Sequence, residues 1–221
     1  MGTNIRKILG DTSNRIKRTT RTGNYWYWME SSDIDIWPLV YPLRYDILVR
    51  GSFFRLYKNN RTLYQTNTYR FTELARQHSY YIWFTQVMVP RFAPKLTGND
   101  EGIRSAYSDR LTCAAKLYDS IEKHGFDPAS PIITKTGETI LPTTTGITTG
   151  ARYYMGDGCH RLACLLALGY EKIPCDWARV KCFRYYQPLD NTSLLRPFMN
   201  IDWESAQKYN PSFSLPDSGT A

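Results

Sequence analysis

Long apolar runs are missing from this 221-residue chain. The longest uncharged stretch inside an apolar region, residues 77–90, is too short to span a bilayer and carries Gln77, His78, Ser79, Thr85 and Gln86. A membrane partner is therefore not expected. Residues 1–23 lack the apolar centre of a secretory signal, and the expected location is the cytoplasm. Histidine is scarce, with His78, His124 and His160 far apart. Cys113, Cys159, Cys164, Cys175 and Cys182 form no C-x-x-C pair and are expected as free thiols. No Cys/His grouping has zinc spacing, which argues against a dedicated transition-metal site. Mg²⁺ carried in with a phosphate stays compatible, because it needs only one or two protein carboxylates.

Acidic residues are nearly absent from residues 1–22, where Arg6, Lys7, Arg15, Lys17, Arg18 and Arg21 face Asp11 alone. That stretch carries five of the eight excess positive charges of the chain. Residues 1–24 are expected to form a basic, flexible, solvated arm. The same charge can hold a phosphate backbone or an acidic partner, so nucleic acid is a candidate partner through residues 1–22. Charge alone does not make the chain a DNA-binding protein. Hydrophobic residues at 42% and charged residues at 22% suffice for a packed core and exclude wholesale disorder. The length suits one domain, or one core with an appendage.

Aromatic residues are what the chain has in excess, and 17 of them lie between Tyr25 and Phe84. Such rings can stack bases or sugars, but more often they fill a core or a subunit interface. A homo-oligomer or a protein partner contacting this region is therefore open.

The coarse pattern mixes helices and strands. Residues 25–28 read as a strand or docking segment. Residues 33–39 alternate polar and apolar, which predicts a half-buried strand ended by Pro38. Residues 45–58 have helical apolar spacing stopped by Asn59 and Asn60. A second helix is predicted over 71–89, with His78 packed on its inner face. A third has apolar residues from Tyr107 to Ile121 and stops at Gly125. Residues 131–134 predict a short buried strand, followed by a threonine-rich loop that either closes over a ligand or is plain surface. Residues 152–155 re-enter the sheet, 159–168 form a helix closed by Gly169, and 173–177 alternate as a further strand. From Gln187 onward the prolines suggest a wrapping or loose tail.

The chemistry concentrates where a strand, a glycine turn and a helix start meet. Gly156 and Gly158 allow a tight turn and close approach to a ligand. The first N–H groups of the helix are unpaired, and its dipole favours an anion there. His160 and Arg161 add donors suited to phosphate oxygens. A plain strand–turn–helix with an exposed arginine is the alternative.

Gly156-Asp157-Gly158-Cys159-His160-Arg161-Leu162-Ala163, then Leu168-Gly169-Tyr170 and Ile173-Pro174, resembles the central motif of the ParB/sulfiredoxin superfamily. Ser120-Ile121, His124-Gly125-Phe126 and Pro131-Ile132 fit the preceding helix and strand of that family. Asp33-Ile34-Asp35-Ile36 and Pro42 resemble its opening strand. The resemblance covers residues 33–45 and about 115–178. It implies an α/β (α+β) fold, a small mixed sheet of ParB/sulfiredoxin type with a helical, aromatic-rich insertion. The corresponding organisation is an arm at 1–24, a domain at 25–182 with the insertion at about 46–110, and a C-terminal wrapping segment at 183–221.

The resemblance also implies a bound nucleotide with its phosphates on residues 156–161. Partition proteins of the superfamily carry a G-E-R-R-like turn, from which Gly158-Cys159-His160-Arg161 departs. Free-serine kinases carry D-G-x-H-R, which Asp157 to Arg161 match, and sulfiredoxins carry G-G-C-H-R, matched except at Asp157. The implied function is a nucleotide-binding enzyme, an ATP-dependent phosphotransferase or nucleotide hydrolase acting on an unknown acceptor. Its cofactors would be ATP or another nucleoside di- or triphosphate with Mg²⁺. Gly156, Gly158, His160 and Arg161 would cradle phosphate. Asp157 would be catalytic and hold the metal, unless it is a turn aspartate bonded to its own backbone. Cys159 would be a thiolate nucleophile, unless it is merely a small side chain at a variable position. Two alternatives differ in class: a ParB-like nucleic-acid-associated protein with a nucleotide switch or nuclease activity, and a non-catalytic interaction protein on the same fold.

Overall fold

Ala178, Val180 and Cys182 are buried while Arg179 is exposed and Lys181 half-exposed, the two-residue alternation of a strand covered on one face. These residues open β6 (Ala178–Tyr186) of the computed structural model, which describes residues 26–29, 32–139 and 152–208. The arm expected at 1–24 and most of the threonine-rich loop lie outside the described residues. The chain divides into two units. The first draws on Met1–Leu39, Phe126–Cys159 and Lys172–Leu189, the second on Val40–Gly125, His160–Glu171 and Asp190–Ala221.

The first unit holds a four-stranded sheet in the order β1 (Trp26–Met29), β6, β3 (Ile132–Thr139), β4 (Tyr154–Asp157). β6 runs antiparallel to β1 and parallel to β3, and β3 is antiparallel to β4. Ile132 and Thr134 join Val180 on the covered face. β2 (Ile34–Asp35) and β5 (Lys172–Ile173) make a separate antiparallel pair. The expectation for residues 25–28 holds, as does the return of the chain to the sheet near residue 154. Sequence reading missed β6, and the boundary expected at 182/183 falls inside it.

β6 has one residue more than β3 where their register shifts between Gly137 and Glu138. Gly137 sits at φ +156°, and a Cβ there would lie 2.3 Å from the Phe183 carbonyl oxygen. Only glycine fits this bulge. Gly137→Ala is expected to cost about 1–3 kcal/mol of stability, read as a lower thermal midpoint.

Two predicted strands are corrected. Residues 33–39 give only β2 before the chain enters α1 (Ile36–Val40), whose first turn tolerates Pro38. The buried pairs Ile36–Trp37 and Leu39–Val40 would be split between two faces in a strand. Residues 173–177 give the end of β5 and then a 3₁₀ turn, Cys175–Trp177.

The second unit is helical: α2 (Tyr45–Asn59), α3 (Arg61–Thr66), α4 (Thr68–Arg76), α5 (Ser79–Trp83), a π-helical turn (Phe84–Met88), α6 (Val89–Phe92) and α7 (Asp100–His124). α8 (Cys159–Ala167) starts at the last residue of the first unit and otherwise belongs here, followed by α9 (Asn191–Leu195) and α10 (Trp203–Gln207). The helix expected at 45–58 is α2. The long helix predicted over 71–89 is broken at His78, which is extended and accepts the Tyr80 N–H on Nδ1 at 3.1 Å. His78 therefore caps α5 rather than simply filling the core. Burial, then the charge of Arg55, lowers its pKa, in keeping with a neutral acceptor.

α7 begins where the Asn99 side chain accepts the Gly102 N–H, and it ends at Gly125 with φ +80°. Phe53, Phe54, Tyr57, Phe71, Tyr80, Trp83, Tyr107 and Tyr118 are fully buried. The Tyr107 hydroxyl donates to the Ala75 carbonyl at 2.9 Å, and the Tyr57 hydroxyl to Asp119 at 2.7 Å. These eight rings are core and offer no face to a base. The described tail docks: the N–H groups of Asn191 and Thr192 donate to the Leu43 carbonyl, and Trp203 sits edge-on to Tyr41 and Tyr45. Among the described residues no helix is long and apolar enough to cross a membrane. The fold is mixed α and β, with helix predominating.

Candidate functional site

β4 reaches Asp157, Gly158 turns the chain at φ +84°, and α8 begins at Cys159. The turn expected over 156–158 is thus centred on Gly158 alone. A Cβ at Gly156 would lie 2.8 Å from the Ile133 carbonyl oxygen, so its small size serves pairing with β3. Asp157 is exposed, and its Oδ1 accepts the Gly158 N–H at 2.6 Å. This is the bond of a turn aspartate, and it leaves Oδ2 for other work. Cys159 is a half-buried thiol outside any disulfide, and Arg161 is half-buried in the first turn of α8. Among the described residues no three His, Cys, Asp or Glu side chains gather to hold a metal. A cation at Asp157 would need oxygens supplied by a ligand.

His160, unlike its neighbours in the motif, belongs to a polar cluster inside the helical unit. Its Nε2 lies 3.0 Å from the Tyr80 hydroxyl and 3.3 Å from Arg110 Nη2. Arg110 Nε in turn donates to the Tyr80 oxygen at 3.1 Å. A guanidinium can only donate, so Nε2 is an acceptor and the ring proton sits on Nδ1. Tyr80 receives one bond from Arg110 and passes its own proton toward His160. The ring is neutral and held in one tautomer. Burial, followed by the charges of Arg50 and Arg110, depresses the His160 pKa well below its ordinary value, with Asp46 opposing.

Arg50 and Arg110 both lie over the Trp83 ring, with guanidinium carbons 4.1 and 4.9 Å from its centroid. Asp46, fully buried near the start of α2, accepts from Arg44 Nε at 2.9 Å and Nη2 at 3.2 Å, and from Arg50 Nη1. Burial pushes its carboxyl up, but the charges and hydrogen bonds of Arg44 and Arg50 outweigh this and hold it well below the usual carboxylate range. Two guanidinium groups, Arg44 and Arg50, thus share the Asp46 carboxylate, and His160 is neutral. Among the described residues Arg110 makes its hydrogen bonds to neutral acceptors. The buried indole N–H of Trp83 and the Nε of Arg50 find no hydrogen-bond partner among the described residues.

Compared with protein-family models, with curated proteins and with solved structures, the chain finds no match in any of the three.

Sequence reading found His160 and missed Arg44, Asp46, Arg50, Tyr80, Trp83 and Arg110. The signal for three of them was present. Asp46 and Arg50 are an i,i+4 pair inside the most apolar part of α2, and Arg110 falls on the same helical side as Tyr107, Leu111 and Ala114. An opposite-charge pair on a buried face announces a buried network.

Proposed function

We propose that the chain binds a nucleotide or related phosphate ester, with a phosphate group held by His160, Arg50 and Arg110, and acts on that phosphate as a transferase or hydrolase. The observation that carries this reading is that Arg110, which shares the Trp83 ring with Arg50, is hydrogen-bonded among the described residues to the neutral His160 and Tyr80. A half-buried guanidinium bonded to neutral groups gains from a phosphate oxygen as counterion. Two guanidinium groups suit its geometry, and the Nδ1–H of the neutral imidazole is a further donor.

The resemblance of residues 156–174 to the ParB/sulfiredoxin motif points the same way. A strand that ends at Asp157 and a helix that starts at Cys159 support reading that motif as a phosphate-binding turn of the superfamily fold. Asp157 precedes His160 by three residues in the chain and keeps one carboxylate oxygen clear of the turn, as an acid/base group or a Mg²⁺ ligand requires. Mg²⁺ arriving with the nucleotide would neutralise phosphate charge.

Isothermal titration of the whole chain with ATP, ADP, CTP and inorganic phosphate, with and without Mg²⁺, tests the reading. At least one is expected to bind, and Arg110→Ala to weaken that binding at least tenfold. Absence of binding by the natural sequence, or equal binding by Arg110→Ala, would sink the assignment.

A further inference from the structure

Tyr45, Leu48, Val49 and Ser52 recur at helical spacing and so share one side of α2. Asp46 and Arg50 of the charged network each lie one residue further on, turned to another side. The first side forms a wall of a cavity of about 200 Å³. Ser79, the first residue of α5, adds to the lining, and Met199, Asn200, Ser205 and Ala206 of the docked tail join it. All of these residues belong to the helical unit.

The lining combines apolar surface with neutral polar groups. Leu48, Val49 and Ala206 are buried, and Met199 is half-buried. Ser52 Oγ donates to the Val49 carbonyl at 2.9 Å. Its one proton is thus engaged inside the helix, and the oxygen can serve the cavity only as an acceptor. Half-buried Ser79 and exposed Asn200 add a hydroxyl and an amide. No charged side chain lines the cavity among the described residues.

We infer that this cavity binds a small neutral alcohol or phenol, with its apolar body against Leu48, Val49, Met199 and Ala206 and its hydroxyl donating to Ser52 Oγ. The volume is below the about 300–1,000 Å³ typical of sites for drug-sized ligands, so a single ring or a short branched chain is the size that fits. A charged ligand would lose its water with no opposite charge in the wall to replace it. A hydrocarbon of the same size would leave the Ser52 oxygen without the donor that water gives it. None of the lining residues is part of the His160 cluster, so the inference stands apart from the phosphate reading.

Calorimetric titration of the whole chain with phenol, and with toluene and benzoate as molecules of similar size, provides the test. Phenol is expected to bind saturably at one site and to raise the thermal midpoint. Toluene and benzoate should bind at least tenfold more weakly, the first for want of a donor and the second for its charge. Ser52→Ala should weaken phenol about tenfold and leave toluene no weaker, so that the preference between them collapses. Ala206→Leu should abolish phenol binding by filling the cavity. Ser52→Ala keeps the test valid if Ala206→Leu unfolds, because alanine suits a helix interior. Arg110→Ala should leave phenol binding unchanged, which separates failure here from failure of the phosphate site. Absence of saturable phenol binding, equal binding of phenol and toluene, or a phenol preference retained by Ser52→Ala would overturn the inference. Full phenol binding by a folded Ala206→Leu variant would do the same.

Discussion

Asp46→Ala is expected to destabilise the helical unit by about 3–5 kcal/mol, measured as a fall in the urea midpoint. Asp46 is 0% exposed and is the carboxylate facing Arg44 and Arg50, each only 5% exposed. Removing it takes from Arg44 and Arg50 the buried carboxylate that both of them bond. Asp46→Asn should fall between the natural sequence and Asp46→Ala, because the amide oxygen can still accept while the charge is gone. Adding Arg50→Met to Asp46→Ala should recover part of the loss, since the orphaned charge leaves with it. A loss below about 1 kcal/mol for Asp46→Ala, the range of an exposed pair, would contradict the buried network.

The same cluster sets the response to acid, and both of its shifted groups act in one direction. His160 has a folded pKa below its unfolded value of about 6.5. Its contribution is present above that pH and is lost as pH falls, because the unfolded state takes up the proton. Asp46 is also depressed, so its contribution is present above about pH 4 and is lost as pH falls further toward its folded value. Stability should decline first below about pH 6.5 and again in strong acid, with the second decline diminished in Asp46→Ala. A profile that stays flat from about pH 7 to about pH 5 would place His160 outside the buried cluster.

Asp157→Asn is expected to lower phosphate release from ATP and Mg²⁺ by a factor of about 10²–10⁴, while Cys159→Ser keeps most of the turnover. The asparagine variant is informative because its Oδ1 still accepts the Gly158 N–H, so the turn survives and only the negative charge is removed. A serine at residue 159 preserves the size of the half-buried thiol at the helix start. If the serine variant is inactive and the asparagine variant active, the thiol is the reacting group and the aspartate only shapes the turn. A phosphate assay with both purified variants separates these outcomes, and circular dichroism checks that α8 is retained.

Local signals were legible and distant ones were not. Gly125 and Gly169 announced helix ends, and both adopt positive φ there. At Gly169 the Tyr170 N–H closes back on the Leu165 carbonyl in a Schellman arrangement. The run from Gly156 to Arg161 showed a strand entering a helix because glycine and helix-start chemistry act within a few residues. The alternation at 33–39 misled, because a short helix buries adjacent residues that a strand would separate. The apparent helix over 71–89 hid a break, since apolar spacing persists across His78 while the backbone there is extended.

The sequence by itself determined the helix stops, the strand–turn–helix at Gly158 and the mixed class, because turn, cap and periodicity preferences act between neighbours along the chain. Tertiary structure alone decided that Arg50, Trp83, Arg110 and His160, drawn from four separate stretches, share one cluster, and that His160 is neutral within it. It also decided that β6 lies inside the sheet and that its bulge turns Tyr186 onto the face of Lys135 and Phe183. Burial, counterion balance and strand register are properties of residues far apart in the chain, and no local pattern encodes which distant charge or strand will be the partner.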